Sequence, residues 1–404
     1  MQKFEPQRER VSKLSYFLSQ PHQPFFLAGI VWAVLAMGVF SAGYRGAFTT
    51  ALDPTLMHVY SMIFIVISHF FHGFLLTTFP RFCMSAPVPK EIYVRLFLIY
   101  EAGGVLFMSG ALFYAPLALL GAVLIFAGHA LVVSNFRQIY LAGSSPEKRD
   151  PFWLLVAHTT GLAVHSLFIA GLLLDLLGIG IAWRSAAYGA GFYLYLIFLT
   201  FTVAQRMIPF FSHVMVKKPE NFIAVVYGAL ALKTLFFALG FTVAEAVVTL
   251  AAALYLLKEF LDWRLPVFSS PAILWVLHMG LFWLPAGLFI DGVTSLAQVW
   301  MQTSFIFAGM HLIAVGFMVT ILIGFGTRVT LGHSGQVPHA DRLTVALFWF
   351  TEAVVLSRFF YSLAMGLGLD LQWLFDLSAV MWMVLFTAWG VRFGPVLVRG
   401  KKEG

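Results

Sequence analysis

Long apolar runs follow one another along almost the whole chain, separated by short polar stretches. A helix needs about 20 consecutive apolar residues to cross the hydrocarbon of a bilayer. On that measure the pattern predicts helices over 25–43, 55–80, 91–112, 116–137, 151–175, 183–211, 222–241, 243–261, 271–291, 297–326, 342–364 and 371–394. Two helix pairs are joined by almost nothing, at 112–116 and 241–243. The expected fold class is therefore all-α: a polytopic transmembrane helix bundle of about 12 spans, forming one integral membrane domain over residues 1–404.

The basic residues fix an orientation. Cytoplasmic loops carry the excess of Lys and Arg. Lys3, Arg8, Arg10 and Lys13 precede the first span, and Arg392, Arg399, Lys401 and Lys402 surround the end of the last. With the clusters in alternate loops (Arg81, Lys90 and Arg95 in the first of them), 21 of the 25 basic residues fall on one side. The other side has Arg45 and Arg184, while Lys233 and Arg358 lie within helices. This places both ends in the cytoplasm, with tails at 1–20 and 395–404, and supports an even number of spans.

Composition narrows the class further. The chain is 60% hydrophobic and only 11% charged, with a mean hydropathy of +0.88, whereas a soluble domain carries roughly 25% charged residues. Lipid must be its solvent. The net charge of +7 is dispersed over loops, so no basic face is available for nucleic acid. The single cysteine, Cys83, excludes a disulfide framework or a Cys-rich metal site. Residues 1–20 are polar and no small-residue cleavage site follows Pro24, so no cleavable signal peptide is expected.

A threefold pattern runs through the spans. Pro24, Pro151 and Pro271 open three helices, and Arg81, Arg206 and Arg328 close three others, with Pro-to-Arg separations of 57, 55 and 57 residues. His158 and His278 each stand seven residues after their proline, where the first copy has Val31. Proline at a helix start and arginine at a cytoplasmic end are each common. Read together, they divide the chain into three groups of four helices, over 20–140, 150–261 and 270–394. Repeats that meet at a central axis often place their site there.

Twelve histidines accompany only 18 acids. His58, His69, His72, His129, His158, His165, His278 and His311 fall within the expected spans, His311 near the middle of the tenth. On a regular helix, offsets of 11 and 14 residues return to about 20° and −40°, so His58, His69 and His72 should share one face, as should His158 and His165. Imidazoles pointing inward from several helices are what a haem or a copper ion embedded in a bundle requires. The plainer reading is hydrogen-bonded packing between helices. Glu101, Lys233, Glu352 and Arg358 are further intramembrane candidates. Glu352 and Arg358 are too far round their helix to pair, so each should have a partner on another helix.

Two long motifs carry a family resemblance. Residues 311–336 read HLIAVGFMVTILIGFGTRVTLGHSGQ, and residues 58–82 read HVYSMIFIVISHFFHGFLLTTFPRF. With shorter matches at 21–29, 134–140, 205–211 and 277–288, in order along nearly the whole chain, the sequence resembles the NnrS family. The resemblance implies a twelve-helix protein of the bacterial inner membrane, carrying haem and copper and tied to nitric oxide metabolism and nitrosative stress. His58, His278, His311, Arg206, Arg328 and His333 occupy matching positions, and His165 is a further match. The second helix of the family usually opens His-x-His-Glu. Here it reads His58-Val59-Tyr60-Ser61, so an imidazole and a carboxylate are replaced, while His69 and His72 stand further in.

The candidate metal ligands are accordingly His58, His72, His165, His278 and His311, with Arg206, Arg328 and His333 as cofactor contacts. A guanidinium suits a haem propionate because it can bind bidentately. The expected cofactors are haem b and copper. The expected partners are the lipid bilayer, nitric oxide as a small ligand, and a quinol or cytoplasmic electron donor. The leading reading is a haem-binding membrane protein, with copper as a second metal, that acts on or responds to nitric oxide as an oxidoreductase. The alternatives are a secondary transporter using intramembrane His, Glu and Lys, and an assembly factor without its own chemistry.

Overall fold

The computed structural model describes residues 13–400. The basic residues Lys3, Arg8, Arg10, Lys401 and Lys402, which count toward the expected orientation, lie outside the described residues. Twelve long helices account for most of the rest: α1 (His22–Tyr44), α2 (Pro54–Phe82), α3 (Lys90–Phe113), α4 (Ala115–Ala142), α5 (Arg149–Leu176), α6 (Arg184–Phe211), α7 (Phe222–Leu239), α8 (Thr242–Asp262), α9 (Ala272–Met301), α10 (Ala308–His333), α11 (Arg342–Gly366) and α12 (Trp373–Arg399). Eleven are long and apolar enough to cross a membrane, and the exception by composition is α8. It is 21 residues long but carries Glu245, Lys258, Glu259 and Asp262. No strand occurs among the described residues.

Local chemistry sets the helix ends. Asp53 caps α2 by accepting from the Leu56 amide at 2.8 Å, with Pro54 in the first turn. Asp341 caps α11 through the Thr344 amide and ties it to Arg392 of α12 at 2.7 Å. Hydrogen bonds from Thr344, with Arg392 beside them, hold the Asp341 carboxyl down at about 2. Its contribution is thus present above the ordinary carboxyl range and lost as pH falls through about 2.

The two tight joints are real. Tyr114 alone, in extended backbone, separates α3 from α4. Gly240 in the left-handed region ends α7. The boundary between α9 and α10 lies later than the apolar pattern predicts. Pro285 does not interrupt α9, which continues to Met301, and the turn comes at Gln302, Ile306 and Phe307, all with positive φ. His311 therefore stands in the first turn of α10, not its middle.

Nine helices form a ring around three. The apolar windows of α2, α6 and α10 are 89%, 78% and 83% buried, against 33–56% for the other spans, so these three are the centre. The outer helices follow chain order. Consecutive groups meet where α4 packs on α5 and α8 on α9, and the ring closes where α12 packs on α1. The three groups of four expected from the Pro and Arg spacing are thus visible as architecture, with the second helix of each at the axis.

All three central helices loosen at the same place. Ser61–Ile67 in α2, Ala190–Ile197 in α6 and Leu312–Val319 in α10 are π-helical, and the α6 segment contacts the other two. A π turn accommodates one extra residue, which rotates the rest of the helix by about 100° relative to a regular one. This is why His58 does not share a face with His69 and His72: the π segment of α2 lies between them.

Close helix approach depends on small residues, as is usual in lipid. A Cβ on Gly121 of α4 would lie 2.3 Å from the Phe107 amide nitrogen of α3, and backbone cannot step aside. Gly121→Ala should therefore force the α3–α4 hairpin apart and lower the thermal unfolding temperature in detergent, at a cost of about 1–3 kcal/mol. Gly180→Ala, where nothing lies within 4 Å, should leave it unchanged. Equal stability of the two variants would contradict this packing.

Candidate metal centre

Three histidines from three helices meet at the junction of the first and second groups: His72 of α2, His129 of α4 and His158 of α5. Each is fully buried. One ring nitrogen from each lies within 4.8 Å of the others. The ring centres are 5.6, 5.6 and 5.9 Å apart. Three imidazoles bound about 2.0 Å from one ion in a plane would put their ring centres about 5.5 Å apart. The spacing suits a single ion. A porphyrin inserted between any two of these rings would meet the third.

The apolar seams of the helices place these side chains. In α4 the fully buried positions are Ala118, Ala122, Ile125, His129, Val132 and Phe136. They alternate steps of four and three residues, which keeps them on one stripe. In α5 the same spacing runs Leu154, His158, Gly161, His165, Phe168 and Leu172, all buried. His129, His158 and His165 are thus histidines in otherwise apolar seams. His158 and His165 share a face, as their spacing predicts. His72 comes to the junction because it lies beyond the π segment of α2.

The surroundings are aromatic and dry. Tyr100 lies 4.8 Å from the His72 ring, Phe136 5.0 Å from His158 and Tyr195 5.3 Å from His129. Tyr195 can approach α5 because residue 161 is glycine, where a Cβ would lie 2.6 Å from its ring. None of the six ring nitrogens of the triad has a hydrogen-bond partner. Buried polar atoms are almost always paired, and each one left unpaired costs about 1–3 kcal/mol. Histidines kept for packing would be bonded. These are bare, and aimed at one another.

His165 lies one step away, its ring 6.0 Å from His129. Its Nε2 is 2.7 Å from the Tyr60 hydroxyl, and Phe64 stacks on its face at 4.0 Å. Tyr60 stands where the resembling family carries the second histidine of its motif. In this chain a phenol occupies that place and bonds a ring nitrogen of His165.

The other candidates are dispersed. His278 Nε2 contacts Ser212 Oγ at 2.7 Å, leaving Nδ1 buried and bare. His58 is stacked on Phe40 at 4.1 Å, with its Nδ1 buried and unpartnered. His311 donates Nδ1–H to the Phe307 carbonyl and lies within electrostatic range of His58 and Arg358. His333 donates through Nδ1 to Gln20 and sits 4.8 Å from the His22 ring. Arg206 is paired with Asp150 at 2.6 Å. Arg328 lies over the Phe211 ring at 4.0 Å, with no carboxylate partner among the described residues.

The intramembrane charges have partners. Glu101 Oε1 lies 2.8 Å from His69 Nε2, and its Oε2 accepts from Trp32. Glu352 accepts from Trp283 and Thr320. Arg358, expected to pair across helices, instead donates to Ser362 of its own helix.

His129 and His158 are intramembrane histidines that the sequence does not mark as ligands. The signal that could have found them is the four-three seam, in which a histidine alternates with Ala, Ile, Val and Phe. The two long family motifs draw attention elsewhere, because they lie on α2 and α10, and the short match at 134–140 on α4 begins after His129.

No curated protein sequence matches the chain. The profile of the NnrS family, described as NnrS protein, matches residues 16–401, which spans all twelve long helices. With that match over nearly its whole length, the chain belongs to the NnrS family.

Proposed function

We propose that this chain is a copper-binding membrane protein of the nitric oxide response, with His72, His129 and His158 as the copper ligands. The observation that carries the reading is the convergence of three fully buried imidazoles whose six nitrogens have no protein partner. A three-imidazole site suits several transition metals. The family resemblance favours copper and supplies the connection to nitric oxide. Copper held in this way offers one-electron chemistry and a coordination position for a small ligand.

The chain's own residues do the rest. The Tyr100, Phe136 and Tyr195 rings surround the imidazoles and exclude water from them. Ser68 Oγ lies 3.0 Å from the Tyr195 hydroxyl and donates to the Ile63 carbonyl at 2.7 Å. That carbonyl belongs to the π segment, so the loosened turn anchors the aromatic wall. Tyr60 and His165 share a hydrogen bond next to the triad and could hold a proton there.

Haem b is a second part of the proposal, supported by a separate pair. His58 of α2 and His311 of α10 lie at the same end of the bundle. His58 Nδ1 is buried without a hydrogen-bond partner, and Arg358 beside them has no carboxylate partner among the described residues. His58 and His311 would hold the haem through imidazole nitrogen, and Arg358 would pair with a carboxylate of the group. Electrons would come from a quinol in the bilayer or from a cytoplasmic donor. The proposed setting is the bacterial inner membrane, with α8 as the twelfth span and both termini cytoplasmic.

Protein purified after expression with copper should hold about one copper ion per chain at this site. His72→Ala, His129→Ala and His158→Ala should each weaken copper by more than the roughly 10–100-fold that loss of an outer-shell partner costs, while His278→Ala should retain it. Metal analysis after dialysis reads this directly. In metal-free protein His129→Leu should be at least as stable as the parent, because it removes two unsatisfied buried nitrogens, and it should no longer gain stability on copper addition. A large loss of stability in the metal-free variant would make these packing histidines. For the nitric oxide reading, copper-loaded protein should bind or consume nitric oxide in anaerobic solution and His129→Leu should not; equal behaviour of the two would overturn it.

A further inference from the structure

The junction between the second and third groups holds a different cluster. Lys233 of α7 is almost fully buried and lies between Glu245 of α8 and Asp291 of α9. Its ammonium is 2.8 Å from Asp291 Oδ2 and is also bonded to Glu245 Oε1. Tyr193 of α6 donates to the same Asp291 Oδ2 at 2.9 Å, and the ammonium stands 4.3 Å from the centre of its ring. Thr249 donates to Glu245 Oε1 at 3.2 Å. Lys233, Glu245, Asp291 and Tyr193 line a cavity of 220 Å³ that reaches Gly240, Thr242 and the exposed Phe307 at the end of the bundle opposite His333. That volume holds about seven waters at roughly 30 Å³ each.

Charge and geometry point the same way. Two carboxylates and one ammonium leave a net charge of −1 in a setting where unbalanced charge is costly. Each carboxylate gives one oxygen to Lys233. The other oxygens, Asp291 Oδ1 and Glu245 Oε2, have no protein partner and are not sealed from the cavity. Thr242, Thr294, Ser295, Gln298 and Ser304 add neutral polar groups to the lining, α10 adds the apolar Ala308 and Met310, and no further charged group lines the cavity among the described residues. A metal cation would face an ammonium within hydrogen-bond reach of both carboxylates, and hard cations want at least six oxygens. A proton needs one free oxygen and water to bring it.

We infer that Lys233, Glu245, Asp291 and Tyr193 form a proton-exchange site that is reached by water through this cavity and is separate from the histidine centre. Hydronium in the cavity gives its proton to a free carboxylate oxygen, leaving water. The charge of the cluster rises from −1 to 0 while Lys233 remains an ammonium, and release runs in reverse. The site uses no copper ligand, so its test is independent of the copper reading.

The test is infrared difference spectroscopy on the full chain in lipid nanodiscs, without added copper, comparing acid with alkaline buffer at fixed sodium. The expected result is a protonated-carboxyl C=O band that appears on acidification and is lost in Asp291→Asn or Glu245→Gln. Tyr193→Phe, a milder change, should shift the frequency of that band without removing it, since the phenol bonds the same carboxylate. A parent protein with no such band would overturn the proposal and leave a static ion triad. A band that appears only when sodium is withdrawn would also overturn it, in favour of a metal-cation site.

Discussion

Helices α2, α6 and α10 meet through their π-helical turns, and the other nine helices are placed around that meeting. In lipid, every backbone polar group must find its partner within the protein. A π turn strains that requirement, because it breaks the regular ladder and leaves carbonyls for side chains to use. Ser68 takes the Ile63 carbonyl, and Thr320 approaches that of Val315, each five residues back. His69 Nδ1 lies 2.6 Å from the Ile65 carbonyl. The loosened turns are thus held by local hydroxyl and imidazole donors at the most buried level of the bundle. Such turns are frequent at functional sites, and here they aim the residues beyond them.

The threefold plan gives three equivalent junctions, each made by a central helix, the last helix of its group and the first helix of the next. They have diverged in chemistry. The first holds the bare imidazoles of His72, His129 and His158. The second holds the Lys233 ion cluster. The third, where α10, α12 and α1 meet, is filled by tryptophan: Trp389 donates to Thr327 at 3.0 Å, and Trp382 donates to the Ala33 carbonyl at 3.0 Å. One scaffold therefore supports an imidazole junction, a charged junction and an apolar one.

Much of this architecture is legible in the sequence, because lipid imposes a simple rule on helix length. The apolar runs locate all twelve helices, and Pro24, Pro151 and Pro271 with Arg81, Arg206 and Arg328 mark the three groups. The site is only half legible. His72 and His165 stand out in the sequence and lie at or beside the triad; His158 is marked only by its place seven residues after Pro151, and His129 only by its seam. The shared face expected for His58, His69 and His72 is broken by a π turn, which has no clear signature in residue type. His311 opens its helix rather than sitting at mid-span, because Phe305, Ile306 and Phe307 in the turn run on without a break into the apolar residues of the helix. The Lys233 cluster was foreseeable only as an intramembrane charge needing partners, since Glu245 and Asp291 lie 12 and 58 residues away in the chain.

The proposed centre holds one metal ion between three imidazoles, from α2, α4 and α5. X-ray absorption at the copper edge of the purified, copper-loaded protein tests it most directly. The expected result is a first shell of nitrogen near 2.0 Å with the outer-shell scattering pattern of about three imidazole rings, reduced by one ring in His158→Ala. A shell of sulfur, or a histidine pattern unchanged in that variant, would contradict it.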